Sequence, residues 1–258
     1  MPEAQRKNLG KKVFFLYPHS VIQKDLVQLI AHYEYEVYLV NDHMKLKKLL
    51  REIGEAIVFI NIDERLSTEE WEKYIVGLRQ DEGTKTVQIG VLTYNEDKEL
   101  AQRFLMDLGV QAGFVQLKLG LNESAKIILQ TLIATEAKGR RKYVRAQIPE
   151  QAAAAFNIKV GETFHTGRIS DISSGGMACY FDTEPTLPID KQLDDIQLSM
   201  RGKIVKAKGK LAGSRMEGGR KIYIILFESF RNDQDKLNLA TFINSTLQEQ
   251  MNKRLDAV

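Results

Sequence analysis

Residues 163–182 read TFHTGRIS-DISSGG-MACYFD. Two strand-like runs, Thr163–Ser170 and Met177–Asp182, flank a polar string containing Ser174, Gly175 and Gly176. Such a string is a turn signal between strands. Downstream the pattern repeats: Leu193–Met200, Lys203–Leu211 and Lys221–Glu228 are strand-like, and the breaks fall at Glu184–Pro188 and at Glu217-Gly218-Gly219. Short strands separated by turns at this spacing predict an all-β barrel or sandwich. From Asp233 the period becomes helical, with Leu239, Phe242, Ile243, Leu247 and Met251 on one stripe. A stripe of this kind belongs to a helix covering a barrel mouth or a partner surface.

Upstream lies a basic run. Lys138, Arg140, Arg141, Lys142 and Arg145 fall within eight residues, with Gly139 among them. Charge at this density, unpaired, predicts a mobile segment.

From Lys11 to about Ala134, strand and helix signals alternate. The apolar runs Val13–Tyr17, Glu36–Val40, Ala56–Ile62, Val87–Thr93 and Gly113–Leu117 have strand length. Leu26, Leu29, Ile30 and Tyr33, and likewise Leu46, Leu49, Leu50 and Ile53, recur at helical spacing. Ser67 and Glu70 have capping-box spacing ahead of Trp71, Tyr74, Ile75 and Leu78. Leu100, Phe104 and Leu108 mark a fourth helix, and Ile128 and Leu132 a fifth. Five such β/α pairs imply a parallel sheet covered on both faces. The fold class expected is therefore α/β plus all-β. Its parts are a flexible N-terminus (1–10), a five-stranded parallel domain (11–136), a basic segment (137–146), a β-barrel (147–231) and a C-terminal helix (232–258).

Composition narrows the function classes. The chain has 258 residues, 43% hydrophobic and 28% charged, with a net charge of +3, too mild to require a polyanion partner. The single cysteine, Cys179, precludes an internal disulfide framework and fits a reducing cytoplasm. There is no signal-peptide pattern and no apolar run approaching the ~20 residues that span a bilayer. The four histidines, His19, His32, His43 and His165, form no metal-ligand spacing with a cysteine or an acid, so no metal is expected. No P-loop, nucleophile elbow or paired catalytic carboxylates appear, and the chain reads as a non-enzyme. Cys179 reads as a packed apolar residue.

Arg141-Lys-Tyr-Val-Arg145 followed by Asp171-Ile-Ser173-Ser-Gly-Gly176 resembles the signature of the PilZ family, RxxxR and then [D/N]xSxxG. The resemblance covers about Arg140 to Phe230. It implies a β-barrel that binds cyclic di-GMP through Arg140, Arg141, Arg145, Asp171, Ser173 and Gly176. It also implies that the arginine segment closes on the ligand, with Arg140 influencing whether one ligand or a stacked pair binds. Arginine matches phosphate oxygens and guanine O6/N7 with one planar fork, and an ionised aspartate accepts from guanine N–H groups. Arg215 is a further candidate for the ligand site.

The first half resembles the receiver domain of response regulators, but without its acids. Thr93 and Lys118 match that family's Thr/Ser and Lys, whereas Leu16-Tyr17-Pro18-His19 lacks the metal-binding pair and Asn61 stands at the phosphoacceptor position. Magnesium needs hard oxygen ligands. The resemblance thus implies a degenerate receiver that serves interaction, with Asp63 as the alternative phosphoacceptor. The expected whole is a cytoplasmic, non-enzymatic cyclic di-GMP effector. It has an unidentified protein partner, a possible homodimer state, no nucleic-acid polymer, no membrane insertion and no cofactor. Its output is of the motility, surface-polysaccharide or virulence type. The alternatives are a ligand-independent interaction module and a phosphorylation-regulated response regulator.

Overall fold

The computed structural model describes residues 10–19, 26, 29–149 and 154–258. The expectation of a flexible N-terminus falls almost wholly on residues 1–9, outside the described ones. The chain forms two compact units, one of residues 1–142 with 248–258 and one of residues 143–247.

The first unit is built on five parallel strands: β1 (Lys12–Leu16), β2 (Val37–Val40), β3 (Ala56–Asn61), β4 (Gln88–Thr93) and β5 (Phe114–Gln116). Their order in the sheet is β2-β1-β3-β4-β5. All six residues of β3 are buried, as a central strand covered on both faces requires. The helices follow the expected stripes. In α1 (His43–Ile53), Leu46, Leu49 and Leu50 are buried, and the Asp42 carboxylate accepts from the backbone N–H of Met44 and Lys45. In α2 (Thr68–Gln80), Ser67 and Glu70 form the reciprocal capping box, and Trp71, Tyr74, Ile75 and Leu78 are buried. The fourth helix is short. α3 (Lys98–Gln102) widens into a π-helical turn over Arg103–Asp107, with Leu100 and Phe104 buried. In α4 (Leu121–Ala134), Ile128 and Leu132 join the core with Phe15, Ile57 and Phe59.

The stripe expected over residues 26–33 is borne out at Leu26 and Ile30, which are helical and fully buried. Tyr33 lies past the helix end in a turn and is half exposed.

The second unit is a closed barrel. β7 (Ala154–Val160), β8 (Thr163–Ser173), β9 (Gly176–Phe181), β10 (Gln192–Met200), β11 (Lys203–Glu217) and β12 (Arg220–Phe230) run in the order β8-β7-β10-β11-β12-β9, and β9 pairs back to β8. All of these pairings are antiparallel. Phe156, Ile158, Ile169, Cys179, Leu198 and Ile225 fill the interior. The β11–β12 hairpin is longer than expected and turns on Gly218 and Gly219, both at positive φ, the conformation that a two-residue turn of the I′ class demands.

Two strands lie outside the expected runs. β6 (Arg145–Gln147) continues the line of β7 along β8, because β7 pairs with Thr163–Arg168 and β6 with Asp171–Ser173. Arg145 and Ala146, which the sequence placed in the basic segment, are thus ladder residues. β7 was hidden by the alanines at its start, which favour helix. Its alternation of buried Ala154, Phe156 and Ile158 emerges only against the other strands.

The C-terminal helix α5 (Asp233–Asp256) buries Leu239, Phe242, Ile243, Leu247 and Met251, the expected stripe. From Gln248 onward it belongs to the first unit, where the Gln248 amide accepts from Leu39 N at 2.8 Å and donates to Leu39 O at 2.9 Å. β2 is the sheet edge there, so one side chain caps a stretch of unpaired edge backbone. No helix among the described residues is long and apolar enough to cross a membrane.

Candidate functional site

β8 and β9 form a hairpin joined by Ser174 and Gly175, with Ser173 directly opposite Gly176. On the other side of β8, Arg145 stands opposite Ser173 and Gln147 opposite Asp171. Asp171 is therefore the diagonal neighbour of Arg145, a separation that a long side chain bridges. Arg145 Nη1 lies 3.2 Å from Asp171 Oδ1. The carboxylate side chain is 7% exposed and the guanidinium side chain 40% exposed. A carboxylate this buried needs a cationic or hydrogen-bonding partner, and the arginine supplies it from the rim.

Strand alternation shows which way these groups face. Ile169, Ile172, Met177 and Cys179 are buried on the barrel side, and a register shift between Ile169 and Asp171 re-aims the strand. Asp171, Ser173, Gly176 and Ala178 consequently lie on the outer face, yet remain almost wholly screened from solvent. The Ser173 hydroxyl donates to Gly176 O at 3.2 Å and tightens the turn. Phe227 N donates to Gly175 O at 3.0 Å and ties that turn to β12.

The two glycines have separate tasks. A Cβ on Gly176 would meet Ile225 O at 2.4 Å, so this position serves the approach of β9 to β12. Its φ is not positive, so close approach of backbone, and not a left-handed conformation, is what requires a glycine there. A Cβ on Gly175 would meet the Tyr143 ring at 2.3 Å. Tyr143, two residues before Arg145, therefore packs against the hairpin turn at the start of the arginine strand. The sequence analysis passed over Tyr143 and Gly175. An aromatic inside the arginine motif and a second glycine inside the turn were the available signals.

Arg140 and Arg141 lie outside any strand or helix, are exposed, and enter no ion pair or hydrogen bond among the described residues. The segment before them is more ordered than its charge predicted. Lys11 N donates to Ala137 O at 2.8 Å, Ala137 is buried, and Lys138 Nζ sits 5.1 Å from the Tyr35 ring centroid. Arg215 pairs with Glu217 at 2.9 Å on β11 and does not join the Asp171 set. Burial, reinforced by the nearby Asp171 charge, pushes the Cys179 thiol far up, consistent with a packed apolar role.

In the first unit, the C-terminal end of the parallel strands β3 and β4 is closed by its own side chains. Asn61 is buried, donates to Tyr17 O at 2.9 Å and accepts from Asp63 N at 3.2 Å. Asp63 accepts from Thr93 Oγ1 at 2.5 Å and from Tyr94 N at 2.7 Å. Lys118 is paired with Glu96 at 3.0 Å. No acidic, histidine or cysteine cluster able to hold a metal occurs among the described residues.

Residues 139–243 match the PilZ domain family model. Among solved structures, the chain is similar to the PilZ domain of YcgR from Escherichia coli, solved with c-di-GMP. The identity is 21% and the TM-score 0.37, over 46% of this chain and 99% of that one. It is also similar to MrkH of K. pneumonia in complex with c-di-GMP, at 19% identity and a TM-score of 0.39, over 45% of this chain and 56% of that one. A signal receiver domain of an HD domain-containing protein from Pseudomonas fluorescens Pf-5 matches at 15% identity and a TM-score of 0.40, over 50% of this chain and all but 1% of that one. The MrkH match thus spans about half of that protein. No curated protein sequence matches the chain. With the Arg145–Asp171 pair, Ser173 and Gly176 all on the barrel that this match covers, residues 139–243 of the chain are a PilZ domain.

Proposed function

We propose that this chain is a non-enzymatic receptor for cyclic di-GMP and that Arg140, Arg141, Arg145, Asp171, Ser173 and Gly176 form its site. The observation that carries the reading is the Arg145–Asp171 pair beside Ser173 and Gly176 within the PilZ domain. The pair keeps a buried carboxylate compensated while no ligand is bound. Guanine offers an N1–H and an exocyclic amine to Asp171, which releases the Arg145 fork for a phosphate or for O6/N7. The exposed Arg140 and Arg141 supply further charge from a segment without regular structure. Charge-assisted hydrogen bonds contribute about 1.5–3 kcal/mol each. Several of them, less the cost of ordering the segment, place the affinity on the order of micromolar or tighter.

Ordering of the arginine segment is the step that gives ligand-bound and ligand-free states different affinities, which any regulation of a downstream protein requires. The first unit, lacking receiver acids, acts as an interaction module in this reading.

Isothermal titration calorimetry with cyclic di-GMP is the test. Wild type gives saturable heat, Arg141→Ala and Arg145→Ala abolish it, and Asp171→Ala weakens it. Absence of heat with wild type removes the reading. Salt-steep binding to generic DNA without preference for cyclic di-GMP replaces it with a nucleic-acid role for the basic run.

A further inference from the structure

β11 runs past its neighbour β10. The β10 ladder accompanies it only as far as Lys210, after which Leu211 donates to Lys191 O at 3.0 Å and accepts from Asp190 N at 2.8 Å. Beyond Leu211 no described strand pairs with that edge of β11. Every residue from Ser214 to Arg220 is exposed, so the end of the β11–β12 hairpin stands free as a two-stranded ribbon. The two-residue turn at Gly218 and Gly219 makes Glu217 and Arg220 a hydrogen-bonded pair. Alternation along an antiparallel ladder then turns the N–H and C=O of Arg215 towards β12, and those of Ser214 and Met216 outwards. An outward row of this kind is a template for another strand.

The side chains along this edge are complementary to themselves. Arg215 and Glu217 share one face of β11 and pair with each other, Arg215 Nη2 lying 2.9 Å from Glu217 Oε2. Met216 sits between them on the opposite face and is 67% exposed. An antiparallel copy of the same edge fits in only a few registers, because the outward groups must meet outward groups. A two-fold axis through Arg215 sets arginine opposite arginine, which is unfavourable. An axis through Met216 sets each Arg215 directly opposite Glu217 of the other copy. The two Met216 residues then exchange both backbone hydrogen bonds, and their side chains meet across the axis and leave water. Charges that merely keep a hairpin soluble account for Arg215 and Glu217, but not for an exposed methionine between them on an open edge.

We propose that this edge is a homodimer contact, in which β11 of two copies pair antiparallel about Met216 and Arg215 of each copy meets Glu217 of the other. A contact this small gives a reversible dimer, with a dissociation constant on the order of 100 µM. Sedimentation velocity of the full chain without ligand, from about 1 µM to about 1 mM, tests it. Wild type should dimerise as its concentration rises. Arg215→Glu sets glutamate opposite glutamate, Glu217→Arg sets arginine opposite arginine, and each should weaken self-association about tenfold or more. The two variants mixed in equal amounts restore both opposite-charge pairs, so the mixture should associate within about threefold of wild type. Met216→Pro removes an N–H that faces outwards, and should abolish the dimer while leaving the β11–β12 ladder paired. Unchanged melting curves confirm an intact barrel, and the charge variants decide the matter if Met216→Pro fails to fold. Wild type that stays monomeric overturns the contact. So does a dimer that both charge variants leave within about twofold, or a mixture that associates no better than its components.

Discussion

Gly175 and Gly176 are adjacent and a Cβ on either would meet a neighbour, but the atoms it would meet differ. At Gly176 the obstacle is the Ile225 carbonyl, which is part of the ladder that closes the barrel. Gly176→Ala should therefore cost about 1–3 kcal/mol in denaturant unfolding, the usual range for forced overpacking. At Gly175 the obstacle is the Tyr143 ring, which can swing away. Gly175→Ala should leave the barrel's stability within about 0.5 kcal/mol. Its effect should instead be weaker ligand binding, because the strand carrying Arg145 loses its seat. Cys179 provides a separate check. With the thiol buried and pushed up, it should resist alkylation by iodoacetamide in the native state and react once the protein is unfolded.

Among the elements, the loop after β4 is held by a single carboxylate. Asp63 accepts from the Thr93 hydroxyl and from the Tyr94 backbone N–H. A fixed carboxylate there holds the loop in one arrangement. Asp63→Ala should speed hydrogen–deuterium exchange at Tyr94 and Asn95, whereas acetyl phosphate should leave wild type unlabelled. The start of α2 shows the same logic in a cap. The Ser67 backbone N–H, then its side chain, hold the Glu70 carboxyl below its ordinary value of 4.5. A depressed carboxyl stabilises the fold above its unfolded value and loses that contribution as pH falls through the lower folded value. Glu70→Gln should flatten that acid dependence in urea unfolding at stepped pH, whereas Ser67→Ala keeps the backbone donor and removes the cap on Glu70 N.

For the whole molecule, two compact units on one chain make a single all-or-none transition the wrong expectation. Scanning calorimetry should resolve two transitions. A ligand that binds the folded barrel raises the transition of residues 143–247 by mass action. If both rise together with cyclic di-GMP, the units unfold as one. The Gln248 clip on Leu39 offers a handle on the other unit, since Gln248→Ala should lower only the transition of the parallel sheet.

Periodicity was enough for the parallel half, because Leu46, Leu49 and Leu50 or the run Ala56–Ile62 carry their burial pattern within a few residues. The Ser67 cap is equally local. The arginine and Asp171 motifs were visible as strings for the same reason. What they could not contain was register. Arg145 meets Asp171 because β6 pairs with the far half of β8, and that pairing is a contact between strands separated by a loop and by β7. Tyr143 on Gly175, Gln147 at the mouth of a cleft, and Arg220 over Tyr180 likewise join residues far apart in the chain. Local spacing settled the element types, β6 and β7 excepted, and the chemistry on offer. Only long-range pairing, which no short window of residues encodes, decided which of those groups face one another.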